Sequence, residues 1–261
     1  MENLRKYGTP PFAVAVVHGG PGAPGEMAPV ARELAAGGRG VLEPLQSATT
    51  LDGQVAELAA VLERHGSLPL TLIGHSWGAW LSFILAAHYP DRVKKLVLVG
   101  SGPYEARYVP LIHETRMSRL TEEERRQAEA CLAALGDPGA AGKQERMKQF
   151  GRLMSRADSY DPLPPAGEEL EMQPEVFGKV LGEALELRES GALLRLGARI
   201  ACPVVAIHGS YDPHPFAGVR QPLAGVLRDF RWFLLPDCGH SPWLERKAKT
   251  RFYEILEREL E

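Results

Sequence analysis

Short runs of apolar residues punctuate this chain at 12–17, 39–44, 68–73, 95–99, 203–207 and 230–235. Several are continuous rather than alternating, Phe12-Ala-Val-Ala-Val-Val17 most clearly, and a strand of that kind must be covered on both faces. Between them, apolar positions recur with helical spacing over 28–36, 51–65, 77–88, 217–227 and 243–260. Strands alternating with helices in this way predict an α/β fold: a mostly parallel sheet with helices on both faces. Only about ten residues precede the first strong strand, so any antiparallel entry hairpin is absent or shortened to a fragment.

The alternation stops after Gly102 and resumes at Pro203. The intervening stretch is charged and helix-prone. Thr121 and Glu124 have the spacing of a capping box ahead of a helix that ends near 136–139. Helical character returns at 143–156, 174–187 and 191–196, with a proline-rich linker at 161–165. The chain therefore divides into a core built from 1–102 and 200–261 and a helical insertion spanning 103–199.

Chemistry concentrates where strands end. The strand at 68–73 runs into Gly74-His-Ser76-Trp-Gly78, which opens a helix. A serine between two glycines at a strand-to-helix turn is a nucleophile elbow. The tight turn exposes Oγ, and the following helix points its free N–H groups at any oxyanion formed there. The strand at 12–17 ends in His18-Gly-Gly-Pro-Gly22, where glycine lets the backbone approach a ligand closely. Gly20, with Gly19 as the fallback, offers a second N–H beside that of Trp77, making a two-donor oxyanion hole. Downstream, Asp212 follows the strand at 203–207 and His240 follows the strand at 230–235. The order Ser76, Asp212, His240 suits a charge-assisted triad. Serine is a weak nucleophile that needs a base, histidine exchanges a proton near neutral pH, and aspartate fixes the histidine tautomer.

On these motifs the chain resembles the α/β-hydrolase fold superfamily, from about Phe12 to the C-terminus, and His-Gly-Gly-Pro-Gly beside Gly-His-Ser-Trp-Gly is closest to its proline iminopeptidase-like branch. The resemblance implies a serine hydrolase with a shortened N-terminal hairpin, whose cap is the insertion at 103–199. The chain departs from that branch where Val41–Ser47 replaces the usual Asp-Gln-Arg-Gly-like segment. The branch also anchors a substrate amine on cap acids. Glu105, Glu114, Glu168, Glu169, Glu171, Glu175 and Glu183 are the available carboxylates, and a charged helical segment ordinarily spends these on solvent. The leading reading is thus hydrolysis of a small ester or amide through an acyl-enzyme. Proline release, carbon–carbon or thioester hydrolysis, and non-catalytic ligand binding on the same fold are the alternatives.

Other groups have simpler roles. His18 and His208 precede glycines at strand ends and brace loops, while His65, His88 and His113 fall on helix surfaces. His75 adjoins the nucleophile without a required role. Asp237 lies near His240 in sequence, but three residues are too few for it to reach the far ring nitrogen. Cys131, Cys202 and Cys238 form no metal-binding spacing; an odd count fits a reducing cytoplasm, and no metal or cofactor is called for. With 30 basic and 33 acidic residues, the chain shows no bias towards nucleic acid. No apolar stretch reaches the ~20 residues needed to span a bilayer, so neither nucleic acid nor membrane is an anticipated partner. Oligomeric state is not encoded in these patterns.

Overall fold

A computed structural model describes residues 3–137, 139–164 and 172–261. Among these residues seven strands form one sheet: β1 (Leu4–Tyr7), β2 (Phe12–Val17), β3 (Gly40–Pro44), β4 (Leu70–His75), β5 (Val93–Val99), β6 (Val204–Gly209) and β7 (Phe230–Leu235). Their order across the sheet is β1-β3-β2-β4-β5-β6-β7. Only β1 runs antiparallel, pairing Leu4 with Pro44 and Tyr7 with Val41; all other neighbours are parallel. The entry hairpin is therefore cut to one four-residue strand.

Period-two alternation along the central strands divides the core in two. Val14, Val16, Ile73, Val97, Val99, Val205 and Ile207 pack against α1 (Ala28–Ala36) and α10 (Lys249–Leu260). Ala15, Val17, Leu72, Leu96, Leu98, Val204 and Ala206 point the other way, towards α2 (Leu51–His65) and α3 (Trp77–His88). Helix α3 buries every residue from Trp77 to Ala87, so it is apolar all round instead of amphipathic. The last helix starts at Lys249, later than its periodicity suggests, because Pro242–Leu244 forms a short 3₁₀ turn first.

Between β5 and β6, the described residues form helices α4 (Val109–Arg119), α5 (Glu122–Gly136), α6 (Lys143–Asp158), α7 (Pro174–Glu189) and α8 (Ala192–Arg195). The capping box forms: Thr121 N–H donates to Glu124 at 2.9 Å and Glu124 N–H to Thr121 Oγ1 at 3.3 Å. Leu120, Ala128, Leu153, Met154 and Ala157 make a small separate core for α4–α6. Helix α7 instead joins the main core through Val176, Val180 and Ala184. Its Glu183 accepts the Leu51 N–H at 2.6 Å, which places a carboxylate on the positive end of α2. The remaining long helix is α9 (Ala217–Val226). Among the described residues, no helix is long and apolar enough to cross a membrane.

Candidate active site

The turn at Ser76 is strained in the way its sequence requires. Ser76 has φ 52° and ψ −113°, in the left-handed region that non-glycine residues avoid. Parallel pairing holds it there through its N–H, which donates to Val99 O at 2.9 Å. The flanking glycines have steric reasons. A Cβ at Gly74 would collide with the Gly78 carbonyl, and one at Gly78 would collide with the Val17 carbonyl. The helix start is thereby pressed against the end of β2, where the His18–Gly22 loop begins.

In that loop Gly20 adopts φ +47°. The Gly19 N–H donates to Glu26 Oε2 at 2.5 Å, so this donor is already spent. A Cβ on Gly19 would lie 3.1 Å from Ser76 Cβ, which places the loop directly beside the serine. Trp77 is the first residue of α3, and its N–H has no partner within the helix.

Asp212 lies on the loop after β6 with its carboxylate fully buried. Oδ2 accepts from His240 Nδ1 at 2.7 Å. Oδ1 accepts from His214 Nδ1 at 2.7 Å and from the His214 N–H at 2.9 Å. His208 Nε2 approaches Oδ2 at 3.4 Å while bonding the His214 carbonyl at 2.7 Å. Burial alone would raise the Asp212 carboxyl, but His240, His214 and His208 around it outweigh that and hold it well below the usual range. For His240, burial acts against the charged form, yet Asp212 prevails and pushes the ring above the ordinary histidine value. His214 is driven the other way, to about 4, chiefly by burial with the neighbouring His240 adding to it. The two imidazoles stack with centroids 4.5 Å apart. A neutral His214 beside His240 leaves a single charge to develop on the pair.

A second layer positions His240. Its carbonyl accepts from His75 Nε2 at 3.1 Å, and its N–H donates to Asp158 O at 2.9 Å, at the end of α6. Asp158 is in turn gripped by Arg116 in two bonds of 2.7 and 2.6 Å. Glu245, 1% exposed, accepts from the N–H groups of Gly239 (3.0 Å), Tyr160 (2.9 Å) and Asp161 (2.8 Å). One carboxylate thus ties the His240 loop to the segment after α6. Glu26 similarly bridges Gly19 and His75, whose Nδ1 lies 3.0 Å from Oε2. Burial opposes the Glu26 charge, but His75 and the Gly19 N–H lower its carboxyl to about 2.

The residues singled out from sequence are brought to one end of the sheet. Gly20 and Trp77 flank Ser76; Asp212 meets His240; and a Cβ on Gly100 would lie 3.1 Å from the His240 ring. Asp237 is left out: it is half-exposed and pairs with Lys247 at 2.9 Å. Cys238, buried beside the base loop, has its thiol pushed up by burial and so serves as packing. Of the acids named in the 103–199 segment, Glu105 pairs with Arg107 and Glu183 with the α2 end, while Glu168, Glu169 and Glu171 lie outside the described residues. Sequence reasoning missed Glu26, Asp158, His214 and Glu245. Only His214 carried a local signal, a second histidine two residues past the acid. Asp212, His214 and His240 are also the one group among the described residues with enough close donors for a metal ion, but all three are already engaged with one another.

The model of the alpha/beta hydrolase fold family matches residues 43–247. The chain belongs to that family. It is 27% identical over 194 residues to the pimeloyl-[acyl-carrier protein] methyl ester esterase of Chromobacterium violaceum, covering 73% of this chain and 70% of that one. Among solved structures it is similar to VinJ, with a TM-score of 0.72, 19% identity, and coverage of 98% of this chain and 93% of that one. The proline iminopeptidase of Mycobacterium smegmatis gives a TM-score of 0.65, also at 19% identity, with coverage of 98% and 93%. The protein is an α/β-hydrolase, and its relatives include named esterases.

Proposed function

We propose that this α/β-hydrolase is a serine hydrolase cleaving a small ester or amide through an acyl-enzyme. The observation that carries the reading is the 2.7 Å bond from His240 Nδ1 to the buried Asp212, on the loop whose carbonyl is held by the residue next to Ser76. With Nδ1–H donated to the carboxylate, Nε2 is left as the proton acceptor. Ser76 Oγ attacks the carbonyl carbon as its proton passes to His240 Nε2. The oxyanion is received by the N–H groups of Gly20 and Trp77. His240 then protonates the leaving group, and water repeats the sequence in reverse to free the acid and Ser76. The commitment of Gly19 N–H to Glu26 supports Gly20 as the donor.

The helices between β5 and β6 act as the cap in this reading, joined to the base loop by Asp158 and Glu245. Ester or amide hydrolysis ranks above proline release. Glu105 and Glu183, two of the acids that could have met a substrate amine, are committed elsewhere. A fluorophosphonate probe tests the mechanism: it is expected to label Ser76 in the wild type and to leave Ser76→Ala unlabelled. Labelling that persists in Ser76→Ala would overturn the serine mechanism. The substrate class is read from kcat/KM for a short aryl ester, an N-acylated prolyl arylamide and its free-amine form. A free-amine preference above about a hundredfold, the scale of a desolvated charge contact, would move the protein to the peptidase class.

A further inference from the structure

Helix α7 carries an arginine that the protein leaves without a matched partner. Arg188 continues the inward stripe of Val176, Val180 and Ala184, and it is only 6% exposed. Its Nε is buried with no hydrogen bond, and its one carboxylate contact is Glu189, a mostly exposed sequence neighbour at 3.5 Å. The guanidinium sits over the Trp80 ring, 5.4 Å from its centroid. A cation taken out of water is costly unless an anion meets it, and an aromatic face replaces only part of the lost hydration. Burial accordingly lowers the Arg188 guanidinium from its ordinary value.

The position of this group links it to the reaction. Trp80 lies one helical turn beyond Ser76, and its indole N–H donates to the Gly102 carbonyl at 3.1 Å. Gly102 is two residues past Gly100, whose α-carbon faces the His240 ring. At its other end, α7 follows Gln173, whose N–H donates to Gly22 O in the loop beside Ser76 at 2.8 Å. Helix α7 therefore runs from the His18–Gly22 loop to Trp80, with Arg188 at the far end of its inward face.

Resting on the serine-hydrolase reading above, we propose that Arg188 is an anion-binding subsite that seats a carboxylate at the distal end of the substrate. The substrates are thereby the half-esters or half-amides of dicarboxylic acids. The planar guanidinium suits a carboxylate, with Trp80 as the floor beneath it. The bound anion compensates a charge that, in the free protein, is met only by Glu189 at 3.5 Å and the Trp80 face.

The test compares kcat/KM for the mono-4-nitrophenyl ester of glutaric acid with that for its methyl-capped neutral diester. The wild type is expected to prefer the acid by about tenfold or more, and Arg188→Met to lose that preference, its kcat/KM falling more for the acid than for the neutral diester. Arg188→Lys is expected to keep part of it. Absence of a preference in the wild type, or the same preference in Arg188→Met, would overturn the proposal. Binding is measured separately by thermal shift with glutarate, adipate and suberate. At least one is expected to raise the wild-type Tm, with no rise in Arg188→Met and none from the matching diamides. If the fluorophosphonate fails to label Ser76, the hydrolase reading falls. The dicarboxylate shift then still decides the subsite: no shift in the wild type, or an equal shift in the variant, refutes it.

Discussion

At the scale of single residues, the site depends on how one buried carboxylate is shared. Asp212 serves His240 with one oxygen and His214 with the other, and the opposite displacements of the two rings follow from burial acting with or against their neighbours. The proposed base must be neutral to accept the serine proton. Because the folded protein stabilises the charged form of His240, activity is expected to appear as pH rises through a midpoint above the ordinary histidine value of ~6.5. A kcat/KM profile checks this, and Asp212→Asn should move the limb downwards as well as lowering the rate. Ser76→Ala and His240→Ala are expected to cost about 10⁴-fold in kcat, whereas Asp237→Asn should leave it within about twofold. A steep loss in Asp237→Asn would reassign the acid.

At the scale of elements, the loops after the strands are positioned by groups that do no chemistry themselves. Glu245 accepts three backbone N–H groups from two segments, the loop before it and the stretch after α6. Glu245→Ala strands those donors in a buried place, at about 1–3 kcal/mol for each one that water cannot reach. The expected result is a loss of about 3–5 kcal/mol in denaturant unfolding, with kcat falling more than KM rises because His240 loses its anchor. Glu245→Gln keeps an acceptor for Gly239 and Tyr160 but not for Asp161, whose N–H bonds the other oxygen, and should recover only part of both. Arg116 acts through Asp158 at the same junction, and Arg116→Met is expected to affect kcat in the same direction with a smaller stability change.

At the scale of the whole molecule, acid sensitivity concentrates at the carboxylates whose partners hold them below their ordinary range. Glu26 has its carboxyl lowered to about 2 in the folded state, whereas in an unfolded chain it would titrate near ~4.3. A depressed folded value means that the stability it contributes is complete above the unfolded value and is lost as pH falls towards about 2. Asp212 adds to the same limb, since its carboxyl is also held down. Urea unfolding followed from pH 6 to pH 2 should show stability falling below about 4.5. Glu26→Gln should flatten that fall by up to about 3 kcal/mol, the value of the shift in free energy. An unchanged slope in Glu26→Gln would show that the pair with His75 contributes nothing to acid stability.

Much of this architecture was encoded locally. Continuous apolar runs marked parallel strands because covering both faces of a sheet leaves no polar side, and the glycines around Ser76 marked a turn that no Cβ could fit. The start of α10 was not marked in this way, since Trp243 keeps helical spacing but is turned into the core by a 3₁₀ segment. The supports of the site were beyond reach for a different reason. Glu26 meets His75 across 49 positions and Glu245 meets Tyr160 across 85, and an isolated glutamate in sequence looks the same whether it ends in solvent or under a loop. Sequence alone determined the strand ends at which Ser76, Asp212 and His240 stand. Tertiary structure decided which N–H group was committed to Glu26, which histidine was lowered and which arginine nitrogen was buried without a partner, because those depend on burial and on partners that only the folded chain assembles.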